Sequence, residues 1–251
     1  MIRKKTISEQ RDYKVVKSNE LIQQSRFNLS VQEQKIILFL ISKIKPEDVE
    51  LKEYIFEIKD FCKVCGLDAE NGANYKYIKQ TLKNLRDKSI WITLSNGSET
   101  TLAWIDKVTM QPNSGAVTIK IDDLMKPYLL ELQKNFTQYG LIYILGMKSQ
   151  YSIRIYELLK SYENIHIKIF DIDELKRTLS CENYARFPDF KRYVLDIALR
   201  EINTLTDIII EVIPIKEGKK FTQIKFVIKS RKEITERLKT FAEIEKLLDK
   251  T

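Results

Sequence analysis

The residue types that could carry out chemistry here are cysteine, histidine, tyrosine and a large set of cations, and the first three do not reach a working number or spacing. Cys62 and Cys65 form a C-x-x-C pair, and Cys181 and His166 are the other soft ligands the chain offers. A zinc site needs a second pair at comparable spacing, which is missing. The cysteines therefore read as small, half-buried helix residues, and no metal is expected. One histidine cannot provide the paired imidazoles that hold a metal beside a tyrosine nucleophile. No G-x-x-x-x-G-K-[ST] phosphate loop, G-x-S-x-G elbow or H-E-x-x-H helix occurs. The 12 tyrosines read as core and interface aromatics. Neither an enzyme nor a cofactor is expected.

The cations are more informative. In the segment 74–88, Ile78, Leu82 and Leu85 recur at helical spacing, while Lys76, Lys79, Gln80, Lys83 and Asn84 fall on the opposite face. Lys76, Lys79, Lys83, Arg86 and Lys88 face only one acid there, Asp87, a balance suited to phosphate contact. A solvated lysine face has the same composition. In 188–205, Phe190, Val194, Ile197 and Ala198 make an apolar stripe, and Arg192, Asp196, Arg200 and Asn203 project from another face. Lys191, Arg192 and Arg200 are offset by Asp189, Asp196 and Glu201. A near-neutral face mixing Arg, Asp and Asn suits base-edge reading, because Arg forks onto guanine and Asn onto adenine. Salt-bridged surface helices share that make-up. Lys216, Lys219 and Lys220 crowd a turn further on.

The elements that must position these residues occur twice. SVQEQKIILFLISKI, YIFEI, KDFCKVCGL, NYKYIKQTLKNLRDK and WITL are followed in the same order by SQYSIRIYELLKSY, IKIF, DIDELKRTLSC, FPDFKRYVLDIALREINTL and DIIIEVIPI. Phe56-Glu57-Ile58 aligns with Phe170-Asp171-Ile172, Leu82 with Leu199, Leu85 with Ile202, and Trp91-Ile92 with Ile208-Ile209. The small drift in offset fits a short insertion before the last helix of the second half. Ser30 with Glu33 has capping-box spacing, and Pro188 and Asp189 open a helix. Asn96-Gly97 signals a hairpin between strands near 91–94 and 101–110, with another strand at 116–121. In the second half, strands at 208–215 and 221–228 flank the lysine-rich turn.

Each half thus reads as a helix-turn-helix followed by a β-hairpin wing. The expected fold is α+β: two tandem, pseudo-duplicated winged-helix domains, 1–130 and 131–251, the second ending in an amphipathic helix carrying Ile234, Leu238, Phe241 and Leu248. The first dozen residues are expected to be poorly ordered. Across the 251 residues, 43 Lys and Arg exceed 35 Asp and Glu, a net +8 that favours a polyanionic partner. No apolar run reaches the roughly 20 residues of a bilayer span, and the N-terminus lacks a secretory apolar centre, so a cytoplasmic location and no membrane partner are expected.

Two stretches carry a family resemblance. VVKSNELIQQSRFNLSVQEQKIILFLISKI at 15–44 and SQYSIRIYELLKSY at 149–162, above all the element from Ser152 to Leu159, resemble the signatures of tandem winged-helix plasmid replication initiator (Rep) proteins. Arg154 and Tyr156 in that element read as anchors for the second domain's first helix. The resemblance implies binding of double-stranded DNA at direct repeats (iterons) of a plasmid origin, with the C-terminal domain as the main reader. It also implies an N-terminal domain able to form a homodimer, dimers that repress their own promoter, and recruitment of the host initiator and replicative helicase. A winged-helix transcriptional regulator without a replication role is the alternative, and fold alone does not separate the two.

Overall fold

The computed structural model describes residues 5–67, 72–110, 115–231 and 234–250. The chain opens with α1 (Ile7–Arg11), β1 (Lys14–Ser18), α2 (Asn19–Gln23) and the two-residue β2 (Ser25–Arg26). The first repeat comprises α3 (Val31–Ile41), β3 (Glu53–Glu57), α4 (Ile58–Val64) and α5 (Gly72–Arg86). Four strands come next, β4 (Ser89–Thr93), β5 (Glu99–Ala103), β6 (Ile105–Met110) and β7 (Ala116–Ile121), then α6 (Lys126–Leu129), β8 (Phe136–Gly140) and α7 (Ile142–Leu145). The second repeat comprises α8 (Gln150–Ser161), β9 (Ile167–Asp171), α9 (Ile172–Thr178), α10 (Phe187–Phe190), α11 (Asp196–Leu205), β10 (Ile208–Glu217) and β11 (Lys220–Ser230). The final helix is α12 (Ile234–Leu248).

The local signals explain the starts. Ser30 accepts from the Glu33 N–H while the Glu33 carboxylate accepts from the Ser30 N–H at 2.7 Å, the reciprocal cap expected from their spacing. Glu57 and Asp171 each end a strand and take the N-cap position of the next helix, Asp171 alone accepting from the first-turn N–H groups, so the alignment of Phe56-Glu57-Ile58 with Phe170-Asp171-Ile172 marks equivalent strand-to-helix corners. α3 and α8 are buried almost all round, as befits the central helix of each repeat.

Each domain carries a three-stranded antiparallel sheet, in the order β3-β7-β6 and β10-β11-β9. That order makes β6 the counterpart of β10, and it corrects the expected pairing of Trp91-Ile92 with Ile208-Ile209. The strand expected over 101–110 breaks at Trp104, whose ring is buried edge-on against Phe27 at 5.0 Å. Before the break, β5 pairs with β4 around the Asn96-Gly97 turn, and β4 also takes up β2, with Arg26 opposite Trp91. After it, β6 pairs with β7. The first wing is therefore the β6–β7 hairpin, whose tip lies outside the described residues, and the β4–β5 hairpin is an addition to the repeat. An alternating pattern reports a half-buried strand without saying which sheet it joins.

Contacts across the expected division at residue 130 are extensive. β1 pairs with β8 from Lys14 opposite Gly140 to Ser18 opposite Phe136. One face of this ribbon, with Val15, Lys17 and Tyr139, is buried. There Lys17 is ion-paired to Glu157 of α8, and the Tyr139 hydroxyl donates to the same carboxylate. Arg154 donates to the Ser25 carbonyl at 2.7 Å and stacks on Phe27, and the Tyr156 hydroxyl donates to Asp207 at 2.9 Å. Both residues anchor α8 as expected.

Residues 6–12 are more ordered than expected. Thr6 and Glu9 form a second capping box on α1. Arg11, 3% exposed, donates to the carbonyls of Lys63 and Val64 at the end of α4 and pairs with Asp249 at 2.9 Å. α12 thereby closes onto the first domain. A β-carbon at Gly66 would lie 2.6 Å from the Leu248 carbonyl oxygen, and Gly66 also has φ +66°, so only glycine fits there. Leu248 is buried and Phe241 half-buried, but Leu238 is 64% exposed, with Thr240 and Ile244 taking the inward positions instead. The side chain of Ile234 lies outside the described residues.

Candidate nucleic-acid interface

α5 presents what its spacing predicted. Ile78, Leu82 and Leu85 are fully buried, and Lys76, Lys79, Gln80, Lys83 and Asn84 are all exposed on the other side. The Gln80 amide donates to Asn84 at 2.8 Å, aligning the two amides along one stripe. Lys88 is held by Glu33 at 2.7 Å and is not part of this face.

The third helix of the second domain contains a turn that the sequence did not reveal. Between α10 and α11, Lys191 to Leu195 are wound as a π-turn, and the Asp196 N–H reaches back to the Lys191 carbonyl. One extra residue is accommodated, and the residues before the turn are re-phased relative to those after it. Val194 and Leu195 both turn inward with Phe190 and Ala198, whereas Ile197, expected in the buried stripe, is only half-buried. Lys191 and Asp196, five residues apart, share a face and pair at 2.6 Å. Arg192 lies over the Tyr193 ring, with its guanidinium 5.2 Å from the centroid. Arg200 is exposed one turn beyond Asp196, and its guanidinium has no partner among the described residues.

Asn203 does not belong with these. Its amide donates to the Ile210 carbonyl at 2.9 Å and accepts from the Ile210 N–H at 2.7 Å, tying α11 to the start of the wing. Both ends of the amide are committed, so its expected place on the reading face is corrected to a structural one. Asn203→Ala is expected to cost about 1–3 kcal/mol in urea unfolding, because the Ile210 groups lose their partner, and to leave base preference unchanged in the folded fraction. A shift in preference without loss of stability would return Asn203 to the reading face.

Lys216, Lys219 and Lys220 are exposed around Gly218, which has φ +62° and lets β10 reverse into β11. The turn end of this wing, where Lys216 pairs opposite Phe221, is clasped to the start of α10. Phe221 stacks on Phe187 with centroids 4.2 Å apart, and the Lys216 ammonium lies 4.6 Å over the Phe221 ring. Tyr193 stacks on Tyr184 of the preceding turn at 5.9 Å. No local spacing signals these links, because each joins rings from separate elements of the fold.

The thiols have no part in this surface. Cys62, Cys65 and Cys181 are fully buried rather than half-buried, and burial pushes the Cys65 thiol up to about 12. Among the described residues no group of three His, Cys, Asp or Glu is arranged to hold a metal ion, and no helix is long and apolar enough to cross a membrane.

Two helix-turn-helix units, each followed by a wing and each leaving the outer side of its third helix bare, define the class as a tandem winged-helix protein. Residues 14–160 match the family described as Initiator Replication protein, WH1, and residues 171–228 match Initiator Rep protein, WH2. The chain belongs to this family of replication initiator proteins. It is 34% identical to the PI protein of Escherichia coli over 141 residues, 49% of this chain and 46% of that protein. It is 28% identical over 206 residues to an Escherichia coli replication initiation protein, covering 77% of this chain and 63% of the relative. The matches thus span about half to five-eighths of the length of these relatives. In fold, the chain resembles the crystal structure of Pi initiator protein in complex with iteron DNA, with a TM-score of 0.72 and 24% identity over 89% of this chain and 99% of the other.

Proposed function

We propose that this protein is a plasmid replication initiator that binds the direct repeats of its origin as sequence-specific double-stranded DNA, without catalysis of its own and in the cytoplasm. The observation that carries this reading is the pair of third helices, each locked by a buried apolar stripe and bare on the other side, in a chain of the initiator family. The N-terminal domain, 1–130, contributes phosphate contact through Lys76, Lys79 and Lys83 and polar contact through Gln80 and Asn84, and supports a homodimer that represses its own promoter. The C-terminal domain, 131–251, is the main reader through Arg192, Asp196 and Arg200, with Lys191 bridging to Asp196. The host initiator and replicative helicase are the protein partners expected at the origin.

Two reading heads on adjacent major grooves cover roughly two helical turns, about 20 base pairs. A footprint on DNA upstream of the gene is expected to protect repeats of that length. Protection of a single promoter site and failure of the repeats to support plasmid replication would favour a transcriptional regulator instead.

The wing provides a separate test. Lys219→Ala and Lys220→Ala are each expected to lower the slope of log affinity against log salt by about 0.9, through loss of one phosphate contact apiece, with base preference unchanged. An unchanged slope would remove the wing from the interface.

A further inference from the structure

A groove of about 1300 Å³ opens where the first domain meets the segment 131–138, and none of the residues assigned to DNA lines it. One wall is the outer face of the β1–β8 ribbon. Alternation buries Val15, Lys17 and Tyr139 beneath it and leaves Val16, Phe136 and Gln138 above. The opposite wall is β3, with Ile55 and Phe56, and the end of α3 closes the floor with Ile41. Ile55 is 72% exposed and Phe136 39% exposed, a costly arrangement for two large apolar side chains sharing one groove. The volume exceeds the roughly 300–1,000 Å³ typical of small-molecule sites, so a length of polypeptide is the better fit.

The rim has one dominant sign. Lys5, Lys14, Lys43 and Lys45 line it against Asp60 and Glu131. Two of these lysines are held in place by aromatic rings: Lys5 and Lys43 lie 4.5 and 4.8 Å from the Tyr13 ring, and Lys43 also lies 4.3 Å from Phe39 and donates to Gln10. An apolar floor does not suit a duplex, whose outer surface is phosphate. A second copy docked here in a two-fold contact would bring this lysine rim against itself.

We propose that this groove docks an acidic amphipathic helix of a partner protein, its apolar side chains seated on Ile55 and Phe136 and its carboxylates against the lysine rim. Such a partner is bound in the helix-in-groove manner, with anchors spaced i, i+3 or i+4, and i+7. The surface is independent of the DNA-reading helices, so the two activities can be lost separately.

The test is fluorescence anisotropy with the full chain and a labelled synthetic helix bearing Leu at the anchor positions and Glu elsewhere, beside a scrambled peptide of the same composition. Saturable binding is expected, weakened about tenfold or more by scrambling and by Ile55→Glu or Phe136→Glu. Lys43→Glu with Lys45→Glu is expected to weaken it and flatten its salt dependence. Binding of origin repeats by Ile55→Glu is expected to match the parent, which also reports that the variant is folded. Absence of saturable binding, equal binding of the scrambled peptide, or indifference to Ile55→Glu would overturn the proposal. So would a dimer in sedimentation that Ile55→Glu dissolves and the peptide does not displace, because a second copy would then be the occupant.

Discussion

Glu157→Ala is expected to destabilise the protein by about 3–5 kcal/mol, the usual cost of removing one partner of a buried ion pair. Glu157 and Lys17 are both almost wholly buried, and the carboxylate also accepts from Tyr139. Without Glu157 the Lys17 ammonium sits in a low-dielectric seam near the Arg154 guanidinium with nothing to offset it. Desolvation already holds Lys17 below its usual pKa, and Glu157 is what opposes that shift. A base depressed in the folded state binds fewer protons there than in the unfolded chain, so stability rises with pH between the folded and unfolded values. Removing Glu157 lowers the folded value further and widens that window. Urea unfolding of Glu157→Ala is therefore expected to show a smaller deficit at pH 9 than at pH 7. The double replacement Lys17→Met with Glu157→Leu, which removes both charges, is expected to recover most of the loss. A parental urea midpoint for the single variant would show that the pair does not hold the β1–β8 ribbon on α8.

The largest functional effect is expected at Arg200. Its guanidinium is exposed on α11 and unpaired among the described residues, whereas Asp196 is already bound to Lys191 and Arg192 rests on Tyr193. Arg200→Ala is expected to relax discrimination by about 1–3 kcal/mol at one base position, as loss of a bidentate contact to guanine would. The measurement is competition binding against repeats carrying every single-base change. Equal weakening against all of them would place Arg200 on phosphate. Arg192→Ala is expected to act the same way at a neighbouring position.

Much of this architecture is legible in the residues. The corners at Phe56-Glu57-Ile58 and Phe170-Asp171-Ile172, the cap at Ser30 and the bare lysine face of α5 all stem from short-range spacing, because caps, turns and helical periodicity are local. The errors arise where a choice depends on distant partners. Trp104 divides one expected strand between two sheets because Phe27 is there to receive it. Asn203 leaves the reading face because Ile210 offers both a donor and an acceptor.

By itself the sequence determined that two winged helices occur in tandem and that each carries a cationic or mixed-charge third helix. These are matters of period, count and capping, and each is settled within a few turns of chain. Only the tertiary structure decided which hairpin is the first wing, where the π-turn re-phases the third helix of the second domain, and how Arg11 and Leu248 close the last helix onto the first domain. Those depend on which buried groups meet across long separations, where burial of apolar surface and pairing of desolvated polar groups override local preference.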